Sequence, residues 1–137
     1  MLKSIEAYII TNGNGSEAVA FYKDALQAEV ISYETFGNNW PECPSDMKDY
    51  VMNAQLLVDG KRIMLSDNNP NMFDYQLGHQ VSIALISDDV ATTQRFFEKL
   101  SHNAKNIGMP LQAVPWSPAY GNLTDQFGVN WQLSTEV

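Results

Sequence analysis

The chain has 137 residues, a formal net charge of −8 and one cysteine, Cys43. A chain of this length buries a core without disulfides, and one cysteine excludes an intramolecular bridge, so we expect a reducing, cytoplasmic location. The 8 basic residues form no cluster, which argues against nucleic acid as a partner. No apolar run is long enough to span a bilayer and the N-terminal segment lacks the features of a signal peptide, so no membrane partner is expected.

The first half of the chain is predicted to begin with a strand and a helix. Residues 3–11 are rich in Ile and Tyr, which favours a strand, and the Asn-Gly-Asn-Gly sequence that follows breaks it. Asn14 followed by Glu17 resembles a capping box, so a helix is predicted from about Ser16 to Leu26. Its apolar residues recur at helical spacing and predict one buried stripe: Ala18, Val19, Tyr22, Ala25 and Leu26.

Three further strands are predicted in the first half. They cover residues 29–36, 50–58 and 62–67, and the last two are joined by the hairpin turn signal Asp59-Gly60. Residues 37–48 are predicted to form a long loop, a type of segment that often covers a binding site.

The second half repeats this order of elements. It is predicted to contain a strand over 80–86, a helix capped by Asp88 or Asp89 and ending at Leu100, and three extended stretches over 104–114, 119–125 and 129–135. The helical face is predicted to carry Val90, Thr93, Phe97 and Leu100. Gly108 and Pro110 interrupt the first of the extended stretches.

An internal repeat links the two halves. Phe21-Tyr22 in the first helix matches Phe96-Phe97 in the second at an offset of 75 residues, and the final hairpins match at an offset of 68. The sequence thus predicts an α+β fold of two βαβββ modules, residues 1–67 and 80–137, joined by a linker over 68–79 into one compact unit. Pairing of the modules would form a curved mixed-sheet cup for a small molecule, whereas a chance repeat would leave an ordinary α+β domain.

Three segments in order give the chain a family resemblance. They are Tyr8-Ile9-Ile10-Thr11-Asn12-Gly13-Asn14 with Glu17-Ala18-Val19-Ala20-Phe21-Tyr22, Met52-Asn53-Ala54-Gln55-Leu56 with Ile63-Met64-Leu65-Ser66-Asp67, and Pro115-Trp116 with Tyr120-Gly121, Thr124-Asp125, Phe127-Gly128-Val129 and Trp131. The chain resembles the PhnB-like branch of the vicinal oxygen chelate (glyoxalase/bleomycin-resistance/dioxygenase) superfamily. The resemblance implies paired βαβββ modules and a homodimer, in which modules pair within one chain or are exchanged between two.

The resemblance also implies positions for a metal ion, one on the first and one on the last strand of each module. Carried over residue by residue, these positions hold Ala7, Met64, Ser82 and Gln132. An alanine, a thioether, a hydroxyl and an amide suit the divalent ions of this superfamily poorly, so no metal and no cofactor are predicted. The register of the first strand is open, and either Glu6, Ala7 or Tyr8 faces the cup.

The first functional hypothesis is a metal-free binder of a small organic molecule, or an enzyme whose substrate the sequence does not identify. The candidate pocket residues are Tyr8, Met64, Ser82, Trp116, Tyr120 and Gln132. Aromatic rings at a cup mouth suit stacking on an organic ligand, although Trp116 and Tyr120 equally suit an interface between modules or subunits, and Trp40 in the long loop has the same two interpretations.

Two alternatives remain open. One is a metal-dependent lyase or dioxygenase with displaced ligands, Glu6, His79 and Gln132; the other is a drug-sequestering protein like the bleomycin-resistance proteins. A methyltransferase is not supported, because Gly13-Asn14-Gly15 does not complete G-x-G-x-x-G. Cys43 is interpreted as a loop thiol, and His79 and His102 as residues at loop and helix ends.

Overall fold

A computed structural model describes residues Met1–Val137, which form two compact units, Met1–Tyr75 and Gln76–Val137. The elements of the first unit are β1 (Tyr8–Thr11), α1 (Gly15–Ala25), β2 (Glu29–Thr35), α2 (Phe36–Asn39), a short 3₁₀ turn (Ser45–Met47), β3 (Val51–Val58) and β4 (Lys61–Asp67). Those of the second unit are β5 (Ile83–Ser87), α3 (Val90–Leu100), β6 (Asn106–Val114), β7 (Ser117–Thr124) and β8 (Asn130–Thr135). None of the helices is long and apolar enough to cross a membrane.

Each unit is built on one four-stranded mixed sheet. The strand orders are β1-β4-β3-β2 and β5-β8-β7-β6, so each unit has one parallel pair at the edge and two antiparallel pairs. The α+β class and the repeated βαβββ order are those predicted from the sequence.

The main helix of each unit packs on one face of its sheet. In α1 the predicted stripe is confirmed, because Ala18, Val19, Tyr22, Ala25 and the following Leu26 are all buried. In α3 only Thr93 and Leu100 of the predicted face are fully buried. Alternation along the strands leaves the opposite face of each sheet open.

The predicted turns are confirmed where backbone geometry demands special residues. Asp59 and Gly60 have φ of +49° and +78°, the left-handed pair that a tight two-residue hairpin requires. In the second unit the Asp125 carboxylate accepts hydrogen bonds from the N–H groups of Phe127 and Val129 and from the Trp131 indole, which fixes the turn before β8.

The start of the chain and the start of α1 differ from prediction. Residues 3–7 are not part of β1, because the strand pairing with β4 begins at Tyr8 and Met64. The capping box is wrong: Asn14 makes no side-chain cap bond to the helix. Instead, Asp67 Oδ1 accepts from the N–H groups of Gly13 and Gly15 at 2.8 and 2.9 Å, so the end of a distant strand caps the helix.

Two other predicted boundaries also shift. The strand predicted to end at residue 36 ends at Thr35, which caps α2 from Phe36 onwards, and the predicted loop over 37–48 contains the rest of α2 and the 3₁₀ turn. The stretch around Gly108 and Pro110 is one strand, β6, because three register irregularities against β7 absorb the residues that do not fit the ladder.

Candidate functional site

A polar cluster lies on the open face of the second sheet, around Gln132 of β8. The Gln132 Oε1 accepts a 2.6 Å hydrogen bond from the Tyr120 hydroxyl, and its Nε2 donates to Ser82 Oγ at 2.8 Å. Gln132 is exposed, whereas its neighbours Trp131 and Leu133 are buried on the helix side. The two bonds hold an exposed amide in one orientation, which is the kind of preorganisation that a binding site needs.

Trp116 adds an aromatic surface to this cluster. Its ring meets that of Tyr120 edge to face, with centroids 5.6 Å apart and planes at 68°. Trp116 is 64% exposed, so most of its indole is free to contact another molecule. Four of the six residues predicted for a pocket, Ser82, Trp116, Tyr120 and Gln132, are therefore neighbours in the second unit.

Ser82, Tyr120 and Gln132 line an open concavity of about 330 Å³, whereas Trp116 lines a second concavity beyond Tyr120. Amide and hydroxyl side chains dominate the lining of the first concavity, and none of its lining residues is Asp, Glu, Lys or Arg. His79 is an exposed residue of this lining, and its Nδ1 lies 3.0 Å from Asn130 Oδ1. Asn130 also donates to the Gly78 carbonyl at 2.6 Å and so holds the segment that carries His79 against β8.

The other two predicted pocket residues, Tyr8 and Met64, are paired neighbours on the first sheet. Tyr8 is 45% exposed and its hydroxyl accepts a 3.0 Å hydrogen bond from Asn53 Nδ2. Asn53 Oδ1 accepts in turn from Gln55 at 3.2 Å, and Gln55 Oε1 accepts from Arg62 at 3.2 Å. The open face of the first unit thus carries a continuous polar chain that ends at the Tyr8 hydroxyl.

The strand pairing resolves the register of the first strand and removes Ala7 from the inferred set of metal positions. Tyr8 pairs with Met64 in the first unit and Ala84 with Gln132 in the second, an offset of 76 residues, from 8 to 84. The counterpart of Ser82 is therefore Glu6, whereas Ala7 alternates with Ile9 and Thr11, which are buried on the helix side. The offset of 75 taken from the helices does not hold for these strands, because the β1–α1 loop is one residue longer than the β5–α3 loop.

Glu6 is already engaged by a cation. Arg62 Nε donates to Glu6 Oε1, Arg62 Nη2 donates to Oε2 at 2.7 Å, and the Ser4 hydroxyl also donates to Oε2. These hydrogen bonds, the one from Arg62 first, lower the pKa of Glu6 from 4.5 to about 2. The same partnership raises the pKa of Arg62 above its usual value.

Sequence reasoning missed three residues of the second unit's open face: Gly108, Asn122 and Asn130. Asn122 pairs with Gln132, and Asn130 lies two residues before it on the same strand. Alternation outward from Gln132 and Tyr120 was the signal that could have identified both asparagines. Gly108 was noted only as an interruption of a strand.

The remaining candidates lie apart from the cluster. Cys43 is buried and its thiol donates to the Pro44 carbonyl at 3.4 Å, and His102 is exposed just after α3. Trp40 packs edge to face on Phe36, with centroids 6.3 Å apart. No group of three or more His, Cys, Asp and Glu side chains is arranged to hold a metal ion.

Comparison with known proteins gives consistent matches along the chain. The family model described as 3-demethylubiquinone-9 3-methyltransferase matches residues 3–134. Protein YjdN of Escherichia coli K12 is 31% identical over 140 residues, covering 95% of this chain and 93% of YjdN. The crystal structure of protein PA1353 from Pseudomonas aeruginosa is 34% identical, with a TM-score of 0.87 and 98% of each chain covered.

More distant structures share the fold. A Bacillus cereus PhnB protein, described as a putative 3-demethylubiquinone-9 3-methyltransferase, is 25% identical with a TM-score of 0.78, covering 98% of this chain and 100% of its own. A mutant of the fosfomycin resistance protein FosX from Listeria monocytogenes, complexed with Mn(II) and 1S,2S-dihydroxypropylphosphonic acid, has a TM-score of 0.68 at 12% identity, covering 100% of this chain and 95% of FosX. The likeness to FosX shows the fold alone.

Proposed function

We propose that this chain binds a small organic molecule without a metal ion. The chain belongs to the family described as 3-demethylubiquinone-9 3-methyltransferase, the PhnB-like branch of the vicinal oxygen chelate fold. The observation that carries the proposal is the Gln132 amide, which Ser82 and Tyr120 hold in place on an exposed sheet face beside a concavity. The proposed site is the open face of the second unit, with Trp116 as its aromatic edge. Tyr8 and Met64 remain predicted pocket residues on the first unit.

A fixed polar group next to an exposed ring suits an organic ligand. The ring supplies most of the buried area, and the amide supplies orientation through donor and acceptor sites that are not used by the protein. Gln132 uses one N–H for Ser82 and one lone pair for Tyr120, so one N–H and one lone pair remain for a ligand. Because both partners are already in place, binding costs little ordering of these side chains.

The residues at the inferred metal positions do not fit a divalent ion. With the corrected register they are Glu6, Met64, Ser82 and Gln132, and the single carboxylate among them is bound to Arg62. A thioether suits soft ions such as Cu(I), and the amide of Gln132 already has two partners. In the displaced-ligand alternative, Glu6 is bound to Arg62 and one ring nitrogen of His79 faces Asn130, so this set supplies no free carboxylate for a metal ion.

The methyltransferase in the family description is not part of the proposal. The glycine turn before α1 is the one place that resembles a cofactor-binding loop, and its N–H groups at Gly13 and Gly15 donate to Asp67. These donors are therefore not available to a phosphate or another anion, which is what such a loop would bind. A drug-sequestering role stays a prediction.

Trp116 provides the test of the binding site. We expect Trp116→Ala to weaken binding of an aromatic probe such as benzamide about tenfold, because it removes the largest exposed apolar surface at the site. Titration of ¹⁵N-labelled protein would follow the Trp116 indole N–H and, in both proteins, the Gln132 side-chain N–H signals, with the Trp40 indole N–H of the first unit as an internal control. Shifts at Trp40 alone, or equal affinity in the variant, would contradict the proposal.

We also propose that the chain forms a homodimer, as the family resemblance implies, in which units pair within a chain or between chains. The apolar side chains of Ile10, Tyr33 and Ile86 are exposed, and association of two chains would cover such side chains. Sedimentation of the purified protein should give the mass of two chains. A single boundary at the mass of one chain would rule the dimer out.

A further inference from the structure

Asn122 has an unusual position on the open face of the second unit. It pairs with Gln132 across the sheet and lines the concavity, yet its side-chain amide makes no hydrogen bond within the chain. Its counterpart in the first unit is Gln55, which pairs with Met64 in the same way. The Gln55 amide, in contrast, has a partner on each side, since its oxygen accepts from Arg62 and its nitrogen donates to Asn53.

A bulge in the neighbouring strand β6 leaves space for the side-chain amide of Asn122. Ile107 pairs with Leu123 and Met109 with Asn122, so Gly108 is the extra residue of a bulge. A Cβ atom at Gly108 would lie 2.1 Å from Asn122 Oδ1, closer than any real contact. The matching bulge of the first unit, between Val30 and Ser32, carries Ile31 instead. The missing Cβ atom of Gly108 thus leaves the space that the Asn122 amide occupies against the edge strand.

The surroundings of Asn122 are polar and without formal charge. The concavity contains no acidic side chain, lysine or arginine, and the imidazole of His79 is bound to Asn130, so a charged ligand group would lose hydration there without gaining a permanently charged partner. The free groups nearby are the amide of Asn122, one N–H and one lone pair of Gln132, and the hydroxyl proton of Ser82. Hydrogen-bond donors and acceptors are thus present side by side, which suits a ligand group that carries both a donor and an acceptor.

Building on the proposed function, we propose that Asn122 determines specificity at this site by pairing with a neutral group that carries a donor beside an acceptor, as in a carboxamide or lactam. The Asn122 amide and such a group exchange two parallel hydrogen bonds. An ester or ketone satisfies only the Nδ2 donor, and a carboxylate places negative charge beside Oδ1. Gly108 acts as a positioning residue, because any side chain there displaces the Asn122 amide.

The test compares benzamide with acetophenone and benzoate, three probes of similar size. Each is titrated into ¹⁵N-labelled protein in the millimolar range while the side-chain N–H signals of Asn122 and Gln132 and the Trp116 indole are followed. We expect benzamide to bind about tenfold more tightly than acetophenone and benzoate, because one additional hydrogen bond changes the dissociation constant by about that factor. This advantage should disappear in Asn122→Leu and in Gly108→Ala.

Two further variants control for indirect effects. Gln55→Leu removes the corresponding amide of the first unit and should keep the benzamide preference. Asn122→Asp is nearly isosteric and keeps only acceptors, so benzamide should bind it through one hydrogen bond and remain ahead of acetophenone, which has no donor, and charge repulsion should exclude benzoate. Equal binding of all three probes with shifts at Trp116 and Gln132 would overturn the role of Asn122 and leave the proposed function standing. No shift at any of these signals with any probe would overturn both.

Discussion

Arg62 changes what the carboxylate of Glu6 can bind at one of the inferred metal positions. Glu6 occupies the place in the first unit that Ser82 occupies in the second, and it is the one carboxylate at the inferred metal positions. Arg62 binds it through two nitrogens and keeps it ionised to low pH. Because the carboxylate already has a counter-ion, it is a poor ligand for a second cation.

The acid titration of Glu6 tests this pairing. Its pKa is lowered from 4.5 to about 2, so the ion pair contributes to stability above pH 4.5, and that contribution is lost as the pH falls through about 2. The pair is at the surface, so we expect a small effect on stability and a clear one on the titration. Carboxyl ¹³C shifts should show Glu6 titrating near pH 2 in the native protein and nearer 4.5 in Arg62→Met.

Lys61→Met serves as the control for Arg62→Met, because the Lys61 ammonium donates to the Asp59 carbonyl and not to Glu6. The low pKa of Glu6 should survive in that variant. A Glu6 carboxyl that titrates near 4.5 in the native protein would show that the ion pair does not form in solution.

At the scale of elements, the junction around Asp67 connects four parts of the first unit. Asp67 is the last residue of β4. Its buried carboxylate accepts from the Thr11 hydroxyl of β1, the N–H of Gly13 before α1, the N–H of Gly15 at the start of α1, and the Val51 N–H of β3. One side chain thus fixes the start of the helix relative to three strands.

We predict that Asp67→Asn destabilises the protein by about 3 kcal/mol, because an amide N–H₂ would face donors that now meet a carboxylate oxygen, and these groups are buried. Urea unfolding followed by circular dichroism would measure the change. Asp59→Asn is the matched control and should be close to neutral, since Asp59 is exposed and asparagine accepts its positive φ. Equal stability of Asp67→Asn and the native protein would contradict the capping role of Asp67.

Local sequence signals predict these elements correctly. The predictions are wrong where a residue far along the chain caps a helix or sets the register of a strand. The stripe of α1 and the Asp59-Gly60 turn depend on residues within a few positions, and both are confirmed. Asn14 is the local candidate to cap α1, but the donors go to Asp67, 52 residues from Gly15 along the chain, which no local pattern reveals. Ala7 is misplaced for a related reason, since the helix offset does not reveal the extra residue in the β1–α1 loop.

Part of the candidate site could be predicted from the sequence, and the part that depends on the pairing of distant strands could not. Ser82, Tyr120 and Gln132 were identified from family positions and alternation, and hydrogen bonds join them in the structure. Asn122 and its glycine bulge were missed, because a bulge in an edge strand depends on the register of two strands. The register becomes visible only when the strands are paired.

At the scale of the whole molecule, two units with the same topology carry different open faces. The face of the first unit is crossed by a chain of hydrogen-bonded side chains from Arg62 to Tyr8, in which every amide has a partner within the chain. The face of the second unit keeps unused donors and acceptors around Gln132 and an exposed Trp116. Our proposal therefore places binding on the second unit and a metal ion on neither unit.

Metal content tests this assignment most directly. Untagged protein, purified without chelator and dialysed against Mn²⁺, Ni²⁺ or Zn²⁺, would be analysed for bound metal per chain after removal of free ions. We predict occupancy near zero for all three ions, because the one carboxylate among the inferred ligands is held by Arg62 and the others are a thioether, a hydroxyl and an amide. Close to one ion per chain, lost on mutation of Gln132, would contradict the assignment and establish a metal site on this face.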